Sequence, residues 1–303
     1  MTPRDVDKRI KSAFADAGCV GWLHARRITA AGTADIDIDI AADDHVVMAS
    51  VYKVALAVAL GRAFAAGSLD PSTRVEVIPG DLTPGPTGLS LLCDPLVTSL
   101  RDMMVSMLTA SDNAAADILL DAVGLDAVTE LLDDLSLDRT RIMGGTNEIH
   151  SRLRIDMDVH TTREAFEALS SPDTDIDIAS YDPALTSATT ARDMTSLLNS
   201  IWIGEAVPSP WGHFIRESMS KQIWPNRIRA GFPHRGVTVA GKTGTIGIIR
   251  NEIAVIEYPG EVPVAVAVFT RAARVDPILP TVDAVIGTVA RMAVTELRSG
   301  RLE

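Results

Sequence analysis

Ser50 and Lys53 are the residues whose types and spacing most directly suggest chemistry in this chain. They are three positions apart, so on a helix their side chains share one face and can meet. A serine hydroxyl becomes a useful nucleophile when a neighbouring base takes its proton, and a lysine can be that base when burial or a nearby cation lowers its pKa. The flanking Met, Val, Ala and Leu residues would desolvate Lys53. The alternative is a buried helix in which Ser50 bonds its own backbone and Lys53 reaches outward.

Two further motifs supply candidate partners for this pair. Ser111-Asp112-Asn113 lies between two helical patterns, where it could serve only as a helix N-cap. Lys242-Thr243-Gly244 ends an apolar, β-branched run, so a strand would hold its lysine rigidly while its glycine leaves backbone room for a ligand. The order SxxK, SDN and KTG along one chain is much rarer by chance than any one of these motifs.

The three motifs in this order resemble those of class A β-lactamases and penicillin-binding proteins, the SxxK serine hydrolases. The resemblance implies four catalytic residues. Ser50 is the acylated nucleophile, Lys53 is its base or proton relay, and Ser111 passes a proton to the leaving nitrogen. Lys242 faces the same pocket, where two lysines disfavour each other's charge and so help to keep Lys53 unprotonated.

The same resemblance assigns substrate binding to Asn113, Thr243, Gly244, Thr245 and Arg250. It implies that Asn113 binds an amide of the substrate and that Lys242 and Thr243 bind a carboxylate. The backbone N–H groups of Ser50 and Thr245 form the expected oxyanion hole, which stabilises charge in acyl transfer. Arg250 is either a second carboxylate anchor or a surface arginine of the next strand, and the sequence leaves these two alternatives open.

One residue of the family pattern is missing. Class A enzymes carry a glutamate that activates the deacylating water within an E-x-x-L-N loop, and no such pattern occurs between residues 138 and 190. Aligning residues 140–142 with the start of that loop places Thr146 at the glutamate position, with Glu148 as a weak substitute. Glu164 and Glu167 lie on a predicted helix. The sequence therefore supports acylation of Ser50 better than turnover of β-lactams.

Several functions stay open at this stage. The first is hydrolysis of a β-lactam or a related cyclic or linear amide through an acyl-enzyme on Ser50. The second is peptidase, esterase or amidase action with weak or no β-lactam turnover, and the third is an acyl-binding sensor without turnover.

Two other motifs compete with these functions. Residues 236–243 match the GxxxxGK[ST] phosphate loop of nucleotide-binding proteins, but they favour a strand and no helix start follows. A second SxxK, Ser218 to Lys221, has no SDN between itself and the KTG, and its flanking residues are typical of a polar helix face.

The composition of the chain limits the classes of molecule that it is expected to bind. The net charge of −12 and the pI near 4.9 argue against nucleic acid and anionic membranes, so we expect a small-molecule or peptide-like substrate that carries a carboxylate. No cofactor or metal is predicted, because the six histidines of the chain show no metal-site spacing, and the oligomeric state is left open. Cys19 and Cys93 are predicted to be small hydrophobes.

The predicted location follows from the absence of two signals. The N-terminus lacks the apolar core of a secretory signal, and no later run approaches the ~20 apolar residues that span a bilayer. We expect a soluble, cytoplasmic protein, or a secreted or periplasmic one if a leader has been removed.

The elements that must position the motifs divide into terminal strands and central helices. Alternation and β-branched runs predict strands at 19–28, 34–40, 236–242, 251–257 and 262–270, the first two joined at Ala31-Gly32. Helical patterns cover 4–16, 50–67, 98–108, 114–123, 125–132, 161–169, 190–201, 211–222 and 281–297, and residues 79–88 predict a long irregular loop.

This order of elements indicates an α/β (α+β) fold of the β-lactamase type, in which an antiparallel sheet is flanked by terminal helices and receives an inserted helical domain. The sheet domain is predicted from 1–48 and 203–303, and the helical domain from 49–202. The active site is expected in the cleft between them.

Overall fold

Strands from both ends of the chain form one five-stranded antiparallel sheet. The computed structural model describes residues 3–30, 36–171, 177–276 and 278–299. Its strands are β1 Cys19–Arg27, β2 Asp37–Ile40, β3 Val46–Val47, β4 Arg74–Val77, β5 Leu96–Ser99, β6 Ala188–Thr189, β7 Thr238–Ile246, β8 Ile249–Glu257 and β9 Val264–Ala272. The large sheet has the order β2-β1-β9-β8-β7, and two small antiparallel pairs join β3 to β6 and β4 to β5.

Helices cover the sheet and fill the middle of the chain. They are α1 Pro3–Asp16, α2 Lys53–Ala66, α3 Leu100–Thr109, α4 Asn113–Val123, α5 Leu125–Asp134, α6 Thr146–Asp156, α7 Thr162–Ala168, α8 Ala191–Ile203, α9 Trp211–Ser220 and α10 Pro280–Ser299. Short 3₁₀ helices are also present, and one of them, Ala49–Tyr52, directly precedes α2. The predicted fold, with terminal strands and helices around a central helical region, is confirmed.

The central strand β9 is buried on both faces. Its residues Val264, Val266 and Val268 belong to a core shared with the terminal helices α1 and α10. Ala265 and Phe269 belong to a second core, shared with α8 and the other central helices. Because side chains alternate between the two faces of a strand, a continuous apolar run fills both cores at once.

The edge strand β2 has one buried and one exposed face, as its alternation predicts. Ile38 and Ile40 are buried, whereas the intervening aspartates are exposed. Both aspartates form ion pairs with Arg192 of α8, Asp37 at 2.9 Å and Asp39 beside it. The predicted turn at Ala31-Gly32 lies outside the described residues.

Helix α2 is the core helix of the central region. By length and composition the segment Ala49–Ala66 could cross a membrane, but 72% of it is buried inside the protein, as is typical of a core helix. It ends at Gly67, which has the left-handed φ of 73° that favours glycine at a helix C-terminus. The single helix predicted over 50–67 is therefore divided, with Ser50 in the 3₁₀ helix and Lys53 at the start of α2.

Some helices and strands of the structure were not predicted from the sequence patterns. The pair β4–β5 joins short segments distant in sequence, and residues 98 and 99, predicted to open a helix, end β5 instead. Helix α6 lies where the sequence patterns predict no helix, because its residues are mostly polar. Asp117 holds its first turn by accepting hydrogen bonds from the backbone N–H groups of Thr146 at 2.6 Å and Asn147 at 2.9 Å.

The prediction for the cysteines is correct only in part. Cys19 is buried and acts as a small apolar residue, but Cys93 is exposed, and both are free thiols. The methionines of α3, Met103, Met104 and Met107, are fully buried core residues. Our division of the chain at residues 48 and 203 stays a proposal, since α8 falls in the central segment yet packs on β1 and β9.

Candidate active site

Ser50 lies on a turn that is pressed against strand β7. The preceding residue, Ala49, has a positive φ of 48°, which is unusual for a residue other than glycine. A side chain at Gly244 would place its Cβ 2.7 Å from the backbone oxygen of Met48 and 3.2 Å from the Cβ of Ala49. The glycine of the KTG motif therefore makes room for the serine turn. This corrects the expectation that it leaves room for a ligand.

Lys53 is fully buried and points at the second motif. Its Nζ donates to the backbone oxygen of Ser111 and to Oδ1 of Asn113, both at 2.8 Å. Burial lowers the pKa of Lys53 to about 7, although the charges of Asp117 and Asp112 act in the opposite direction. Near neutral pH a large fraction of this lysine is therefore unprotonated, as a base must be.

Ser111 is held between two lysines that are distant in sequence. Its backbone oxygen accepts from Lys53, and its Oγ lies 2.8 Å from Nζ of Lys242. Its φ of 61° is left-handed, a conformation that non-glycine residues keep only when surrounding contacts impose it. Burial, together with the nearby charge of Lys53, lowers the pKa of Lys242 well below its usual value, while Glu252 opposes the shift.

Asp112, the middle residue of the SDN motif, has a structural task. It is fully buried, and its carboxylate accepts from the backbone N–H of Ala115 at 3.1 Å, which caps α4. It also accepts from the N–H of Leu89 at 2.9 Å and from Oγ of Ser106 at 2.7 Å. The N-cap alternative thus holds for Asp112, while its two neighbours in the motif face the site.

A cavity of about 850 Å³ collects most of the predicted residues. Those that line it are Ser50, Ser111, Asn113, Thr243, Thr245 and Arg250. Lys53 and Lys242 are fully buried behind its wall, and the hydrogen bonds described above connect them to it. Apolar side chains cover another part of the wall: Ile149, Phe166, Trp224, Ile278 and Leu279. The cavity thus joins a polar reacting end to an apolar surface, as small-molecule sites commonly do.

Arg250 is a buried cation of this cavity. It is only 7% exposed, so the surface alternative is excluded, and its Nε has no hydrogen-bond partner in the described part of the chain. Burial and the neighbouring charge of Arg227 lower the pKa of Arg250. A buried guanidinium whose Nε has no partner among the described residues is a favourable place for an anionic group of a ligand.

Arg227 was missed because no motif surrounds it. Its Nε lies 2.6 Å from Oδ1 of Asp283, so its charge is largely compensated. Its other nitrogens donate to the backbone oxygen of Gly244 at 3.0 Å and to Oγ1 of Thr245 at 2.8 Å. Arg227 thereby fixes the strand that carries the KTG motif, and only the tertiary structure brings it there.

Thr146 is the residue that the sequence resemblance places at the position of the missing glutamate. This residue opens α6 and lines the cavity, and its Oγ1 lies 2.9 Å from the hydroxyl of Tyr52. Glu148 is exposed and lies outside the cavity wall, so it is no substitute. Glu164 caps α7 and Glu167 is exposed. Among the residues that the structure describes, no glutamate lines this cavity.

His150 belongs to no sequence motif that we identify, yet it lines the cavity. It lies one helical turn after Thr146 and is 2% exposed. The signal that could have found it is its place four residues after the glutamate position, which is the last position of the E-x-x-L-N pattern.

The second SxxK and the phosphate-loop pattern do not contribute to this site. Ser218 is buried in α9, and Lys221 is exposed and bonded to Glu217 at 2.7 Å, so neither lines the cavity. Residues 238–246 form the continuous strand β7, without the turn and following helix that a phosphate loop requires. Within the described residues, no group of three or more His, Cys, Asp or Glu side chains is placed to hold a metal ion.

This fold and site define the class to which the chain belongs: it is a member of the β-lactamase enzyme family, whose sequence model matches residues 5–297. A curated relative is the beta-lactamase regulatory protein BlaB of Streptomyces cacaoi, 24% identical over 306 residues that cover 96% of this chain and 97% of that protein.

Solved structures show the same fold. The beta-lactamase of Sphaerobacter thermophilus DSM 20745 has a TM-score of 0.77 and 22% identity, with 98% of each chain covered. PBP-A has a TM-score of 0.75 and 18% identity, with 97% of this chain and 96% of PBP-A covered. An ancestral class A beta-lactamase has a TM-score of 0.75 and 24% identity over 96% of this chain and 99% of its own.

Proposed function

We propose that this protein is a serine hydrolase that forms an acyl-enzyme on Ser50 with a β-lactam or a related cyclic or linear amide. The observation that carries the proposal is the convergence of Lys53 and Lys242 on Ser111 at the wall of the cavity that Ser50 lines. Lys242 contacts the Ser111 hydroxyl and Lys53 contacts the Ser111 backbone oxygen, so two buried lysines with lowered pKa values meet at one serine. An ordinary apolar core does not require this arrangement.

In the acylation step, neutral Lys53 takes the proton of Ser50 as Oγ attacks the carbonyl carbon of the substrate. The backbone N–H groups of Ser50 and Thr245 receive the developing oxyanion. When the C–N bond breaks, the Ser111 hydroxyl gives its proton to the leaving nitrogen, and Lys242, hydrogen-bonded to that hydroxyl, replaces it.

The substrate is expected to carry a carboxylate. Arg250 is the cation of the cavity wall whose charge has no ion pair in the described structure, because Arg227 is paired with Asp283. Thr243 and Thr245 add hydroxyl groups beside it. A carboxylate placed there would compensate the buried charge and orient the scissile bond toward Ser50.

A second candidate function is acyl binding without turnover. It is favoured by the absence of a glutamate among the described residues of the cavity wall, and by the regulatory name of the Streptomyces cacaoi relative. A third is peptidase, esterase or amidase action on a related compound, with weak β-lactam turnover. All three begin with the same acylation of Ser50, and they differ in the substrate and in the release step.

One experiment separates these functions. The protein is mixed with a chromogenic cephalosporin, and product formation and intact protein mass are followed together, with Ser50→Ala as the control. Continuous hydrolysis that Ser50→Ala abolishes supports the first function, and a persistent Ser50-dependent mass adduct supports the second. Hydrolysis of a p-nitrophenyl ester or a peptide, assayed in parallel, without cephalosporin turnover supports the third. Full activity in Ser50→Ala would refute all of them.

A further inference from the structure

His150 is a buried histidine with an unpaired ring nitrogen. It is 2% exposed, and its Nδ1 is buried with no partner in the described part of the chain. Buried polar atoms in native proteins are almost always hydrogen-bonded, so an unpaired one calls for a functional explanation. The other buried histidine, His24, shows the usual arrangement, with Thr195 at 2.5 Å from one ring nitrogen and Asp37 at 2.9 Å from the other.

The position of His150 is set by helix α6. Thr146, His150 and Leu153 are the buried residues of this helix and therefore share its inner face. Thr146 is tied to the nucleophile's own turn, because its Oγ1 meets the hydroxyl of Tyr52 at 2.9 Å. His150 follows one turn later and lines the same cavity as Ser50.

The imidazole ring is held in place from one side. Phe166 of α7 meets it edge to face, with ring centroids 5.3 Å apart. Burial, aided by the charges of Lys53 and Arg154, lowers the pKa of His150 to about 4. The ring is therefore neutral at physiological pH, and one of its nitrogens carries a free lone pair.

The other ionisable groups of the cavity wall are already engaged or cannot accept a proton. Asp283 accepts from Arg227 at 2.6 Å and from Asn226 at 3.1 Å, and the guanidinium groups of Arg227 and Arg250 are not bases. Among the described residues that line the cavity, His150 is the one ionisable side chain that can take up a proton without breaking an ion pair.

We propose that His150 is the general base that releases the acyl group from Ser50, in place of the glutamate that this chain lacks. The imidazole takes a proton from a water molecule while the water oxygen bonds to the acyl carbon and the carbonyl electrons move to the oxyanion. When the carbonyl re-forms, the bond from that carbon to Oγ of Ser50 breaks. Oγ takes the proton that the imidazolium gained from the water, and the product leaves as a carboxylic acid.

This inference rests on the proposed function, because it requires an acyl-enzyme on Ser50. If the inference holds, the His150 side chain decides whether the protein acts as a hydrolase or as a sensor. A protein with a competent base at position 150 hydrolyses its acyl-enzyme, whereas the same site without the imidazole accumulates it.

The test is a pulse-chase measurement of the acyl-enzyme. The protein is acylated with a chromogenic cephalosporin and, separately, with a p-nitrophenyl ester, and loss of the adduct is followed by intact mass after removal of the reagent. In His150→Gln we expect acylation within a few-fold of the unaltered protein and deacylation slower by about 10² to 10⁴. Added imidazole should partly restore deacylation in His150→Ala, where the space of the ring is free.

A matched control separates chemistry from packing. Leu153→Ala removes a fully buried side chain from the same face of α6 but leaves the imidazole, so its deacylation should stay within a few-fold of the unaltered protein. Unchanged deacylation in His150→Gln, a persistent adduct in the unaltered protein, or equal slowing in Leu153→Ala would overturn the base role. The absence of any adduct on Ser50 with either reagent would instead refute the proposed function, and this inference with it.

Discussion

Nζ of Lys242 lies 2.8 Å from Oγ of Ser111, although the two residues are 131 positions apart in the chain. The contact joins a strand of the terminal sheet to the loop that opens α4 in the central region. Since Ser111 also accepts from Lys53 through its backbone oxygen, the three motifs meet at this one residue. The contact therefore forms only when the sheet and the central helices are assembled in this arrangement.

Replacing Ser111 should impair amide substrates more than activated esters. An amide nitrogen must be protonated as it leaves, whereas a p-nitrophenolate leaves without a proton. In Ser111→Gly, which also tolerates the left-handed backbone, we expect kcat/KM for a cephalosporin to fall about 10²-fold. The rate of Ser50 acylation by a p-nitrophenyl ester should change only a few-fold. Equal losses on both substrates would contradict the proton-donor role.

The rate of acylation should depend on the protonation of Lys53. Because burial lowers the pKa of Lys53 to about 7 and only the neutral amine accepts a proton, acylation should be half-maximal near that pH and fall as the pH decreases below it. Single-turnover kinetics with a chromogenic cephalosporin give the profile. In Lys53→Met, acylation should fall by about 10² to 10⁴ and lose this pH dependence. A profile that Lys53→Met leaves unchanged would exclude Lys53 as the titrating group.

Gly244→Ala should damage the site by steric overlap. The added Cβ would lie 2.7 Å from the Met48 backbone oxygen, so either β7 or the Ser50 turn must move. We expect a loss of about 1–3 kcal/mol in the free energy of unfolding together with a large loss of acylation. Gly212→Ala in helix α9 is the control, because its Cβ would meet its nearest atom at 3.4 Å. Chemical denaturation and acylation kinetics of both variants decide whether the glycine serves the turn.

Arg250 should matter only for substrates with a carboxylate. In Arg250→Met, kcat/KM for a carboxylate-bearing β-lactam should fall by about 10- to 100-fold, the value of one charge-assisted hydrogen bond of roughly 1.5–3 kcal/mol. The methyl ester of the same compound serves as the matched substrate and should be little affected. The variant should also be no less stable to denaturant, since it removes a buried cation with an unpaired Nε. An equal loss on the methyl ester would exclude the anchor role.

The chemistry-bearing motifs could be predicted because each is local. Ser50 with Lys53, the SDN and the KTG each occupy a few consecutive positions, and their order alone indicates the family and therefore the fold. The terminal strands were equally readable, since alternation in β2 and continuous apolar runs in β8 and β9 reflect burial on one face or on both. In these segments, local pattern and tertiary environment agree.

The structure changed the roles that we assign to residues whose spatial neighbours are distant in sequence. Gly244 was assigned to ligand binding, but the space beside it belongs to the turn that carries Ser50. Arg250 could have been a surface residue, and its burial became visible only once the cavity had formed. The sequence of helix α6 has no apolar periodicity that would predict a helix. Its first turn is held instead by contacts of Thr146 to Asp117 and Tyr52, which are distant in sequence.

The sequence by itself determined the family, the sheet and the order of the SxxK, SDN and KTG motifs, because periodicity and short motifs are properties of neighbouring residues. Only the tertiary structure decided that Lys242 meets Ser111, that Arg227 braces β7 and that His150 faces the cavity of Ser50. Burial, pKa shifts and an unpaired ring nitrogen arise from atoms that folding brings together across the chain. No local pattern of residues contains them.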